Sequence, residues 1–80
     1  MVNQHRPIFE IAKDIKKDWQ NVYFAAVPYL EAMFTLNSIE DPFYEDSGRE
    51  IVIQFLSNAT FWRGPVAREI KKELNNLLNT

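Results

Sequence analysis

Of the 80 residues, one is histidine and none is cysteine, so the side chains able to do acid–base, metal or nucleophilic chemistry are few. His5 stands in the terminal stretch MVNQHR, which is expected to be flexible and therefore unable to hold a general base in place. Glu40, Asp41, Glu45 and Asp46 gather oxygen ligands in one loop. They lack the alternating acids and central glycine of a calcium loop, so a solvated loop is the simpler reading, and a surface for a basic partner is the other. No G-x-S-x-G, H-E-x-x-H or P-loop pattern occurs. The lack of cysteine removes disulfides, thiolate metal sites and a cysteine nucleophile together. The expectation is a protein that is not an enzyme, with no catalytic residue, no metal site and no cofactor. Asn58-Ala59-Thr60 spells a glycosylation acceptor, but without a secretory signal Asn58 is expected only to bond nearby backbone at a helix end.

Binding chemistry has better candidates. In TFWRGP, residues 60–65, Trp62 and Arg63 are types enriched at interface hot spots, and with Arg68 they form a candidate partner-binding tip. The competing reading is a helix junction. Phe61 and Trp62 then fold back under the corner, while Arg63 covers an aromatic face or caps helix carbonyls. A small domain can seldom spare two large rings, which favours the junction. Nucleic acid is the alternative partner. Lys13, Lys16 and Lys17 on the first helix, and Arg68, Lys71 and Lys72 on the last, offer two basic faces that could contact phosphates if they lie side by side. Helices 3 and 4, joined by a glycine-containing turn, could even form a helix-turn-helix. Against this stand a net charge of -2 and the acids Glu69 and Glu73 interleaved with the bases.

The elements that must position these residues are read from periodicity. From Pro7 to about Gln20, Ile8, Ile11, Ala12, Ile15 and Trp19 recur at spacings of three and four, the stripe of an amphipathic helix with proline in its first turn. Residues 21–36, NVYFAAVPYLEAMFTL, are apolar on nearly every side. They read as a central helix surrounded by the others, starting near Ala25 or kinked at Pro28. Residues 37–48, NSIEDPFYEDSG, form the longest loop, pinned by Phe43 and Tyr44. Ser47 and Glu50 have capping-box spacing, so helix 3 starts there and runs through Ile51, Val52, Phe55 and Ala59. Its β-branched run makes a short strand the competing assignment. Gly64 then Pro65 open helix 4, whose stripe is Val66, Ala67, Ile70, Leu74, Leu77 and Leu78.

With 46% hydrophobic residues and 14% aromatics, the chain has ample material for one core and is far from disordered composition. The charge is uneven. Residues 21–59 hold one Arg against six acids, while residues 60–80 hold four Lys/Arg against two acids, a field able to steer a charged partner. No segment reaches the roughly 18 apolar residues of a membrane span. A cytoplasmic location without membrane contact is expected, and a homodimer is a third reading because so many aromatics are hard to bury in one small unit.

VYFAAVPYLEAM, then DSGREIVIQFLSNA, then FWRGPVAREIKKEL, in that order, resemble a family of short uncharacterised proteins encoded in phages and mobile elements of Gram-positive bacteria. The likeness spans roughly residues 7–78 and is one of overall pattern, with no catalytic residues to carry over. It implies a phage or prophage accessory protein in the bacterial cytoplasm that binds an unidentified host or phage protein. The combined expectation is a single all-α domain, residues 1–80, with a flexible segment 1–6 and a compact bundle of about four helices around apolar helix 2.

Overall fold

The computed structural model describes residues 6–79. In chain order these form α1 (Ile8–Asp18), a single 3-10 turn (Phe24–Ala26), α2 (Val27–Met33), β1 (Pro42–Phe43), β2 (Asp46–Ser47), α3 (Gly48–Ser57) and α4 (Pro65–Leu78). The molecule is mainly helical, with a two-stranded antiparallel hairpin pairing Pro42 with Ser47 and Phe43 with Asp46. That hairpin corrects the all-helical expectation. Strands of two residues leave no period in a sequence, and the loop chemistry that marks the segment is the same with or without pairing.

α1 buries Ile8, Ile11, Ala12 and Ile15, and Trp19 follows at its C-cap. Its first N–H groups cannot find intrahelical acceptors. Two of them reach across to the chain after α2 instead, Ile8 N–H to the Asn37 carbonyl at 3.0 Å and Phe9 N–H to the Leu36 carbonyl at 2.9 Å. Of the segment 1–6, for which flexibility is expected, only Arg6 lies among the described residues. It bonds both Asp14 on α1 and Glu73 on α4, whereas residues 1–5, His5 among them, lie outside the described residues.

The central apolar helix is also corrected. α2 is seven residues long, because Pro28 cannot donate in a helix interior and so sits in the first turn. Preceding residues wind as the 3-10 turn. α2 packs on α3 and α1, burying Leu30, Ala32 and Met33, while Phe34 remains 38% exposed. The molecule measures 33 × 32 × 18 Å. A helix with side chains is about 10–12 Å across, so the thin dimension holds two layers and leaves no room for a helix enclosed on all sides.

α3 begins where its capping residue predicts, with Glu50 N–H donating to Ser47 Oγ at 3.4 Å. Gly48 is buried there for a steric reason. A Cβ at this position would lie 2.5 Å from the Ser38 carbonyl oxygen and 2.9 Å from Ile39 Cα, so only glycine lets the start of α3 press on that loop. Gly48 N–H to the Asp41 carbonyl and Arg49 N–H to the Ile39 carbonyl, both 2.7 Å, fasten the contact. α4 opens at Gly64, whose φ of 112° and ψ of 175° belong to a region essentially reserved for glycine. At its far end Arg49 donates to the Leu78 carbonyl at 2.7 Å, supplying the cation that a helix C-terminus favours. One cluster of buried side chains draws on all four helices.

Candidate functional site

The corner between α3 and α4 holds most of the candidate residues, and its geometry separates them. Trp62 is 2% exposed. Its ring stacks on Trp19 at 5.7 Å and meets Phe55 edge-on at 6.3 Å, and its indole N–H donates to Asp18 Oδ2 at 2.8 Å. Every polar atom of the buried indole is therefore satisfied, and Trp62 has no face left for a partner. This is the helix junction. The cover expected of Arg63 is supplied by Lys71, whose ammonium donates to the Trp62 carbonyl at 2.7 Å and lies 5.8 Å from the Trp62 ring centroid. Arg63 and Arg68 are exposed.

Phe61 departs from the junction reading. It is 67% exposed and packs edge-on against Tyr23 at 5.3 Å, and Tyr23 in turn contacts Phe24 at 4.9 Å, a ring left 77% exposed. Phe61 stands in the turn closed by the Trp62 N–H donating to the Ala59 carbonyl at 3.1 Å, and there its ring faces solvent while Trp62 turns into the core. Tyr23 and Phe24 are brought to it by the 3-10 turn. Tyr23, Phe61, Ser57, Asn58 and Thr60 line a shallow cleft of about 310 Å³. Asn58 itself is occupied locally, its side-chain amide donating to the Gln54 carbonyl at 2.9 Å. Residues 19–30 and 51–62, which build this face, contain no charged side chain. A solvent-facing cluster of rings without charges has the composition of an interface core rather than of ordinary surface. Hot-spot composition directed attention to Trp62 and Arg63. The pair of charge-free segments was the sequence signal that could have found this face.

The basic faces do not merge into one surface. α1 and α4 do pack together, but the groove between them is lined by Asp14, Asp18 and Glu69 beside a single cation, Lys17. Arg6 bridges Asp14 and Glu73 across the seam, and its guanidinium is held still more firmly protonated by the Glu73 and then the Asp14 hydrogen bonds. Lys13, Lys16, Lys17 and Lys72 are exposed; Lys71 is half-buried on Trp62, and burial, then the charge of Arg63, lower its pKa.

In the acidic loop, Asp41 is a fastener. Its carboxylate accepts the N–H groups of Asn37 at 2.7 Å and Ser38 at 3.2 Å, and those bonds hold its pKa below the usual carboxylate value. Tyr44, at the hairpin tip, is 92% exposed with φ of 56°, and its ring meets Phe43 edge-on at 4.8 Å. Among the described residues no group of three His, Asp or Glu side chains is placed to hold a metal ion, and no helix is long and apolar enough to cross a membrane. No family model, curated protein or solved structure matches the chain.

Proposed function

We propose that this chain is a small non-enzymatic interaction module, of the phage or prophage accessory kind, that binds a host or phage protein in the bacterial cytoplasm. The contact is made through the aromatic face of Tyr23, Phe24 and Phe61. The observation that carries this reading is the mutual packing of three rings at a surface where two of them stay mostly in water. Large apolar rings exposed together lose hydration free energy that a partner would recover, at about 25 cal/mol for each Å² of apolar surface covered. Arg63 lies two residues from Phe61 and Arg68 follows in the first turns of α4, so both serve the rim of such a contact.

The test is quantitative capture from the native host with the wild-type chain and with Phe24→Ser/Phe61→Ser. A protein retained by the first and lost by the second supports the reading; identical protein recovery with both overturns it. Nucleic acid recovered instead, in a salt-sensitive way that Arg68→Gln/Lys72→Gln abolishes, would transfer the function to the basic faces.

A further inference from the structure

The groove of about 550 Å³ between α1 and α4 has carboxylates whose needs are already met. Asp14 is paired with Arg6, and Asp18 accepts the indole N–H of Trp62. A smaller cleft of about 320 Å³ at the α3–α4 corner is the reverse case. It is lined by Trp62, Arg63, Gly64, Ala67, Arg68 and Lys71, three cations with no carboxylate among them. The ion pairs formed among the described residues take their cations from Arg6 and Lys13, so these three charges are not neutralised by one another's neighbours.

Lys71 is the fixed member of the three. Its bond to the Trp62 carbonyl and its place against the Trp62 ring hold the side chain still. An ammonium has three donors, and the carbonyl takes one. Arg63 is near enough for its charge to oppose that of Lys71. Like charges gathered without a counter-charge repel, and an anion between them turns that cost into attraction. The backbone is open to such a ligand at Gly64, where no atom beyond the glycine and its two chain neighbours lies within 4 Å of the space a Cβ would take. Gly64 is the N-cap of α4 and Ala67 lies in its first turn, whose partial positive charge adds to the three side chains.

We propose that this cleft binds a doubly charged oxyanion of the phosphate-monoester class, with Arg63 and Arg68 as the walls and Lys71 as the floor. A single carboxylate would leave most of the positive charge unmatched, whereas a phosphate monoester carries close to two charges and three acceptor oxygens suited to guanidinium forks. The cleft shares Arg63 and Arg68 with the rim of the proposed protein contact but none of its three rings, and phosphate binding is read without any protein partner, so either can fail without the other.

The experiment is an NMR titration of the full chain with inorganic phosphate at about pH 8, where the dianion dominates, with ionic strength held constant by chloride. The backbone amides of Gly64, Val66 and Ala67 and the side-chain N–H groups of Arg63 and Arg68 should shift along a saturating curve. Arg63→Gln/Arg68→Gln, both at exposed positions, should fold normally by tryptophan emission and weaken the affinity at least about tenfold. Dimethyl phosphate, with one charge, should not saturate the same signals. The proposal is overturned by shifts that rise linearly or spread over the whole surface, by an unchanged affinity in the double variant, or by equal binding of dimethyl phosphate.

Discussion

Gly48→Ala reverses the usual sign of a helix substitution. At an ordinary helical position the change stabilises by up to about 1 kcal/mol, because alanine loses less backbone freedom. At Gly48 the new Cβ would stand 2.5 Å from the Ser38 carbonyl oxygen and 3.0 Å from the Ile39 carbonyl carbon. Both are backbone atoms that cannot rotate away, so either α3 or the loop must move. Overpacking of this kind costs about 1–3 kcal/mol. The Gly48–Asp41 and Arg49–Ile39 hydrogen bonds at the contact are worth about 1 kcal/mol each. The expected loss is about 2–4 kcal/mol, a large share of the roughly 5–15 kcal/mol that holds a domain together. At about 4–8 °C per kcal/mol for a domain of this size, thermal unfolding followed by circular dichroism should show Tm falling by about 10 °C or more. An unchanged or raised Tm would refute the close approach of α3 to residues 38–39.

Asp18→Ala leaves the buried indole N–H of Trp62 without its acceptor, and denaturant unfolding should show a loss of about 1–3 kcal/mol; a loss below about 0.5 kcal/mol would mean that water replaces the carboxylate. Phe24→Ser and Phe61→Ser remove exposed rings, so each should change stability by only about 0.5 kcal/mol, which makes them clean probes of binding, and a larger loss in the same unfolding experiment would reassign the ring to the core. Asp41 has a folded-state pKa depressed by the Asn37 and Ser38 N–H groups, so its contribution is present above the unfolded carboxylate value of about 3.9 and fades as pH falls through the lower folded value. Asp41→Asn should therefore flatten the acid limb of the stability–pH curve, and an acid limb identical to that of the wild type would remove Asp41 from the linkage.

The sequence made α1, α3 and α4 legible because each has a polar side against which the apolar stripe stands out, as Ile8, Ile11 and Ile15 do against Lys13 and Lys16. Ser47 and the Gly64-Pro65 step marked helix starts by chemistry rather than by pattern. The ends and the position of α2 are not legible because residues 21–36 are apolar on nearly every side, with Glu31 their only charge, and a segment with so little polar face has no clear period to locate its ends. The hairpin at Pro42–Ser47 is too short to alternate visibly. In the corner, Phe61 and Trp62 are adjacent aromatics outside any helix, and nothing local decides which one turns inward. That decision is made by Trp19, Phe55 and Asp18, which arrive from elsewhere in the fold. The need for glycine at position 48 is equally non-local, since it comes from residues 38 and 39.

The most direct measurement of the interaction role is site-specific photo-crosslinking in the native host, with p-benzoylphenylalanine placed at Phe24, at Phe61 and, as a control, at Tyr44, which is exposed outside the charge-free face. The aromatic face predicts the same discrete protein adduct from positions 24 and 61 and none of that mass from position 44. No adduct at 24 and 61 in a folded, expressed protein, or the same adduct from all three positions, would contradict it.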